Sequence, residues 1–319
     1  MAALSPHDSA VVPAPLEQYA QAFDALFHTW IQRRRFREYL AGLRLPRDRN
    51  KTLTALVGAE PITQAQTAPV QQLPFFLSEA AWDAEAVTAR RLEELHTDPL
   101  TTPHADGALV LDETGDRKDG THTAHVGYQY LGSSGKLGNG SVAVTSLWAD
   151  ERVSSPLHVR PSTPAARLAG GKQHPDLRTK PQLALELVAA ARAAGIPFRA
   201  VVAASLYGEH PEFTRTLWQA DIPVVLAIKP APIIWTLPPE PDSPWAVLVE
   251  AADRLRWDHQ HAAQQPGAWT AVVRRCHDGP EETWWAVDLE VGGTYGPAGS
   301  SRLVVATSDP RTLPKASTW

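Results

Sequence analysis

The chain has 319 residues, with 30 Lys and Arg against 35 Asp and Glu for a formal charge of −5, so it is not uniformly coated for nucleic acid. Hydrophobic content of 43% and charged content of 20% are globular values that argue against wholesale disorder, and the length predicts two domains. The single cysteine, Cys276, excludes an intrachain disulfide and any multi-cysteine metal centre. No apolar run approaches the ~20 residues of a membrane span. Residues 1–15 carry neither a basic nor an apolar leader pattern, so the sequence predicts a cytoplasmic protein with no membrane partner.

Residues 1–15 are polar and Pro-bearing and read as a frayed terminus. From 16 to 43, apolar residues recur at spacings of three and four (Tyr19, Phe23, Leu26, Phe27, Trp30, Ile31, Tyr39, Leu40), which predicts one or two amphipathic helices. A further helix is expected over 79–95, with Ser78 as its N-cap. At about Ala108 the period becomes strand-like, with strands expected at 108–112, 126–130 and 141–148 in an antiparallel meander. A helix over 180–194 ends at Gly195 and feeds a buried strand at 198–204, a helix at 212–220 and a second buried strand at 224–228. Beyond Lys229 a Pro-rich stretch leads to Trp-rich strands at 268–275, 283–291 and 302–307. The order predicts a mixed α/β sheet whose later strands are parallel and helix-covered.

Several residues could carry chemistry. The turn containing Gly135 and Lys136 lacks the flanking Gly and Ser/Thr of a phosphate loop and leads into a strand, so it reads as a hairpin turn. His122 and His125 could share a metal but have no third ligand nearby, and His259 and His261 take the same discount. Asp112 closes an apolar strand ahead of Glu113-Thr114-Gly115, a place where a carboxylate either ligates a metal or caps a turn. Arg33, Arg34, Arg35, Arg37, Arg44, Arg47, Arg49 and Lys51 lie within nineteen positions, interleaved with Phe36 and Tyr39 and opposed locally by Glu38 and Asp48. Such a patch fits either phosphate contact or a solvated helix face.

Three matched stretches then point to one family. Leu111-Asp112-Glu113-Thr114-Gly115, with residues 118–120, 122–127, Gln129-Tyr130, Gly132, Gly135-Lys136 and Asn139-Gly140, resembles the segment around the first catalytic aspartate of bacterial insertion-sequence DDE transposases. Pro156-Leu157, Thr163-Pro164, Arg178-Thr179-Lys180 and 195–198 through 201–208 resemble the segment that leads into the family's second aspartate, and 303–307 with 313–319 resemble the strand and turn that precede the family's last part. The resemblance implies an RNase H-like mixed sheet, with residues 16–105 a helical DNA-binding region, 106–230 the catalytic core, and 231–319 a β-rich insertion with the start of the rest of the core. It implies cut-and-paste transposition, in which water and then a DNA 3′ hydroxyl attack phosphodiesters at two Mg2+ ions held by two aspartates and a glutamate.

Carried over, Asp112 takes the place of the first catalytic acid and metal ligand, while Ala204 stands where the second aspartate is expected. Glu209 belongs to the following turn. The family's glutamate lies on a helix beyond the Ser317-Thr318-Trp319 match. The matched region adds Lys118 and Lys136 to the arginine cluster as DNA contacts. The expected partners are double-stranded DNA at the terminal inverted repeats of a mobile element and a second copy or an intact transposase, placing the protein at the nucleoid. One acid where three are needed predicts weak or absent Mg2+ binding and a truncated, degenerate copy, since each 1.36 kcal/mol added to the barrier costs about tenfold in rate. The alternative is a non-catalytic regulator or interaction protein derived from a transposase.

Overall fold

A computed structural model describes residues 15–44, 52–58, 68–208, 210–227, 234–236, 270–275, 280–293 and 296–307. They fall into two compact units that share the chain in alternation.

The first unit comprises 1–107, 147–159 and 187–198. Its helices are α1 (Pro15–Gln21), α2 (Trp30–Arg44), α3 (Leu53–Leu56), α4 (Ala68–Ser78) and α5 (Ala84–Thr97). The expected helical stretch at 16–43 breaks ahead of Trp30 because Thr29 and Gln32 form a reciprocal cap: Gln32 N donates to Thr29 Oγ1 (3.2 Å) and Thr29 N to Gln32 Oε1 (3.0 Å). Ser78 is not the cap expected of it. It ends α4, with its hydroxyl donating to Pro74 O, while Asp83 starts α5 by accepting from Glu85 N at 2.8 Å. The helices close on Phe23, Phe27, Phe36, Leu56, Leu73 and Phe76, whose rings meet in tilted pairs such as Phe27–Phe36 at 4.8 Å.

Trp148 is fully buried in the same unit and donates from Nε1 to Pro197 O at 3.0 Å. His104 packs edge-on against that indole and its Nε2 donates to Asp150 Oδ2 at 3.0 Å. Asp150 also accepts from the backbone N–H of Arg152 and Val153 and from the Arg152 guanidinium. The His104 bond first, then these backbone donors, hold the Asp150 carboxyl well below the usual carboxylate range. A folded-state value below the unfolded one means the ionised form favours folding. The contribution is therefore complete above about pH 4 and lost as the pH falls. Asp150→Asn is expected to flatten the acid limb of the curve of melting temperature against pH.

The second unit comprises 108–146, 160–186 and 199–319. Its sheet is built from β1 (Ala108–Arg117), β2 (Gly127–Leu131), β3 (Lys136–Ala149), β4 (Ser154–Ser162), β5 (Ala200–Ala203) and β6 (Val224–Leu226), with β3 and β4 running on into the first unit. The strand order is β2-β3-β1-β5-β6, with β4 also on β3. The meander expected from sequence is therefore corrected: β3, not β2, lies beside β1. The loop at 118–126 carries the chain past, and Gly135, at φ +65°, closes the β2–β3 hairpin where a side chain would be strained. β1, β5 and β6 are parallel, giving the mixed α/β sheet that was expected. The crossover helices are α6 (Lys180–Ala193), capped by Thr179 and Gln182, then α7 (Ser205–Gly208) and α8 (Pro211–Gln219), which buries Phe213, Thr214 and Leu217.

A second sheet holds β7 (Ile234–Thr236), β8 (Thr270–Arg275), β9 (Glu281–Gly293) and β10 (Gly296–Thr307), with β10, β7 and β8 all antiparallel to β9. No helix among the described residues is long and apolar enough to cross a membrane.

Candidate functional site

Leu109 and Leu111 anchor β1 in the core at 0% and 1% exposure, and the two-residue period turns Asp112 outward. β1 does not stop at Asp112, as its sequence suggested. It continues to Arg117 because β3 keeps pairing with it, while the parallel pairing to β5 ends at Leu111 beside Ala203. Asp112 and Ala204 are the residues that follow the last paired positions of this ladder, Asp112 within β1 and Ala204 just past the end of β5. Ala204 is exposed and offers only a methyl group.

Asp112 Oδ1 accepts from Glu113 N at 2.8 Å, and its carbonyl accepts from Thr145 Oγ1 at 3.1 Å. Glu113 points to the opposite face, where Lys180 Nζ lies 2.9 Å from its Oε2 as a charge contact rather than an aligned hydrogen bond. Three residues past Ala204, Tyr207 is fully buried and its hydroxyl has no hydrogen-bond partner. Burial, and then the charges of Glu113 and Asp112, push the Tyr207 hydroxyl well above the usual phenol range. Tyr207 and Lys180 were not singled out for this neighbourhood from the residues alone. The signal was the helical turn opened at Ala204, which puts Tyr207 N on the Ala204 carbonyl.

The donor set does not fit a two-metal centre. Hard divalent ions take several oxygen ligands each, and among the described residues no group of three His, Cys, Asp or Glu could hold one. Asp112 offers one carboxylate, and Glu113 is already held by an ammonium group. Glu209 lies outside the described residues. His125 Nδ1 lies 2.7 Å from Thr163 Oγ1, and neither it nor His122 belongs to a group of three potential ligands among the described residues. His259 and His261 lie outside the described residues.

The arginine cluster is largely turned to internal work. Arg37 donates Nε to Glu17 (2.8 Å) and Nη1 and Nη2 to Asp24 (2.7 and 3.1 Å), which holds the Asp24 carboxyl below its usual range. Arg33 donates to Phe27 O, and Arg34 and Arg35 both reach Glu38. Arg34 remains half-exposed and lies over the exposed Trp30 ring at 5.6 Å, while Arg44 is exposed at the end of α2. Arg47, Arg49 and Lys51 lie outside the described residues. Lys118 pairs with Asp116, and Lys136 is exposed at the start of β3.

Residues 22–290 match a family described as DDE superfamily endonuclease, and the chain belongs to that family. Over 250 residues it is 30% identical to a Microchaete diplosiphon protein described as "Probable transposase for insertion sequence element IS701", covering 78% of this chain and 57% of that one. The chain therefore spans little more than half of that relative's length. Among solved structures, an Aquifex aeolicus member of the Ppx/GppA protein family matches 64% of this chain and 51% of its own at 12% identity and a TM-score of 0.19, too low to bear on the fold.

Proposed function

We propose that this chain is a transposase-type protein of RNase H-like fold that binds the terminal inverted repeats of a mobile element and, with the residues described, does not cleave DNA. The mixed sheet, antiparallel across β2-β3-β1 and parallel across β1-β5-β6, supports the RNase H-like assignment, with residues 106–230 as core, 16–105 as DNA-binding region and 231–319 as β-rich appendage. The single observation that carries the reading is the parallel pairing of Leu111 with Ala203, which Asp112 and Ala204 directly follow on their two strands. A cation bridging two such carboxylates would stabilise both attacking and leaving oxygens. With alanine at one of them, Mg2+ binding is weak and cleavage falls away. The protein then acts where the element's DNA is, at the nucleoid, by occupying ends alone or with an active copy.

Among the described arginines of the 33–51 cluster, Arg34 and Arg44 are the exposed ones and take the role of phosphate contacts. A mobility-shift titration over a salt series tests this. The expected result is binding that weakens steeply with salt, prefers inverted-repeat duplex, and loses about one unit of slope in Arg34→Ala. Cleavage of element ends by the purified protein with Mg2+ or Mn2+, abolished by Asp112→Ala, would overturn the inactive reading.

A further inference from the structure

The β2–β3 hairpin carries an exposed aromatic face. Tyr128 is 76% exposed, Tyr130 49% and Leu137 59%, whereas the alternate residues Leu131, Val142 and Val144 are buried at 1%, 3% and 0%. The register pairs Tyr128 with Asn139 and Tyr130 with Leu137, so these four side chains share one face. Lys118 N donates to Asn139 O and Thr145 Oγ1 to Asp112 O, numbers that run oppositely along β1 and β3 as in an antiparallel pair. In that register Asp112 lies across from Thr145 and Lys118 from Asn139. Asp112, Thr114, Asp116 and Lys118 therefore face the same way as Asn139, Tyr128 and Tyr130.

From this register we infer that Tyr128 and Tyr130, with Leu137 beside them, form a stacking platform for unpaired bases of a DNA strand whose backbone runs along the sheet toward Asp112. The inference rests on the DNA-binding reading above and adds the form of DNA that the sheet accepts. Two strands at ~4.8 Å and six residues at ~3.4 Å separate Tyr128 from Asp112 by roughly 20–25 Å, a span of a few nucleotides. The two rings stand about 7 Å apart along β2, two base rises, as splayed bases require. Aromatic side chains on an open sheet face stack single-stranded bases, and every base has a face to offer.

The polar neighbours fix the kind of recognition. Asn139 Nδ2 donates to Lys118 O and Gly120 O, so both of its amide donors are spent inside the protein. Stacking on the tyrosine rings reads the faces of bases rather than their edges, which makes the platform tolerant of sequence. Lys118 is paired with Asp116 in the same row, so the exposed Lys136 at the hairpin supplies the charge for the backbone.

The test is fluorescence anisotropy of the full chain with a blunt duplex and the same duplex carrying a short single-stranded tail containing 2-aminopurine. The expected result is about tenfold tighter binding of the tailed duplex, quenching of the 2-aminopurine on binding, and loss of both in Tyr128→Ala/Tyr130→Ala. Tyr128→Trp/Tyr130→Trp should keep both, which separates stacking from damage to the hairpin. Unchanged tail preference in the alanine pair would overturn the platform while DNA binding stands. So would self-association of the native chain that the alanine pair abolishes without affecting the tail. Absence of binding to either duplex would overturn both readings together.

Discussion

Ala204→Asp is expected to tighten divalent-cation binding at least about tenfold, a gain of ~1.4 kcal/mol or more. The register that sets Leu111 beside Ala203 places the new carboxylate at the strand end next to Asp112. Ala204 is exposed and α7 begins after it, so the longer side chain meets open space rather than core. Two carboxylates on neighbouring strand ends offer a hard cation ligands from a rigid backbone, where the native chain offers one. Calorimetric titration with Mn2+ reads the gain. Asp112→Asn in the same background should return affinity to the native value, and equal Mn2+ affinity for native and Ala204→Asp proteins would refute the pairing of these positions.

Trp148→Ala should destabilise the fold by about 3–5 kcal/mol, among the larger costs a single substitution can carry. The indole is fully buried, and its loss also strips the Pro197 carbonyl of its donor. The space is tightly set: a Cβ added at Gly107 would lie 2.3 Å from the indole ring. Gly107→Ala alone should therefore cost about 1–3 kcal/mol by overpacking. In the Trp148→Ala background that cost should vanish, because the methyl enters the cavity. Urea unfolding of the four proteins gives the coupling directly, and additive costs would show that Gly107 and Trp148 do not meet.

Much of the fold was legible because local rules and tertiary packing agree. α6 was expected over 180–194 and runs from Lys180 to Ala193, and the three late strands fall at β8, β9 and β10. The strand order was not legible, since the two-residue alternation of β1, β2 and β3 fits either neighbour equally. The cap of α5 was missed because Ser78 and Asp83 are both good caps, and only the preceding helix decides between them. At the candidate site, Asp112 was marked by its place after an apolar run, whereas Ala204 was found only through the family resemblance. The Lys180–Glu113 contact joins residues 67 positions apart and leaves no local trace. The same limit applies to α2: Glu38 was visible beside the arginines, whereas Glu17 and Asp24 reach Arg37 from outside the basic run.

The alternation of the chain between its two units bears on how the protein is made. The aromatic cluster of Phe23, Phe27, Phe36, Leu56, Leu73 and Phe76 is encoded wholly within the first 107 residues and can collapse as soon as they leave the ribosome. Trp148, Pro197 and the second half of α6 belong to the same unit, yet its last stretch ends only at residue 198, some ninety codons later. At elongation rates of about 5–20 residues per second that is a wait of roughly five to twenty seconds. Throughout it the nascent helical region stands half-built, with the apolar surface destined for those residues open to chaperones and to neighbouring chains.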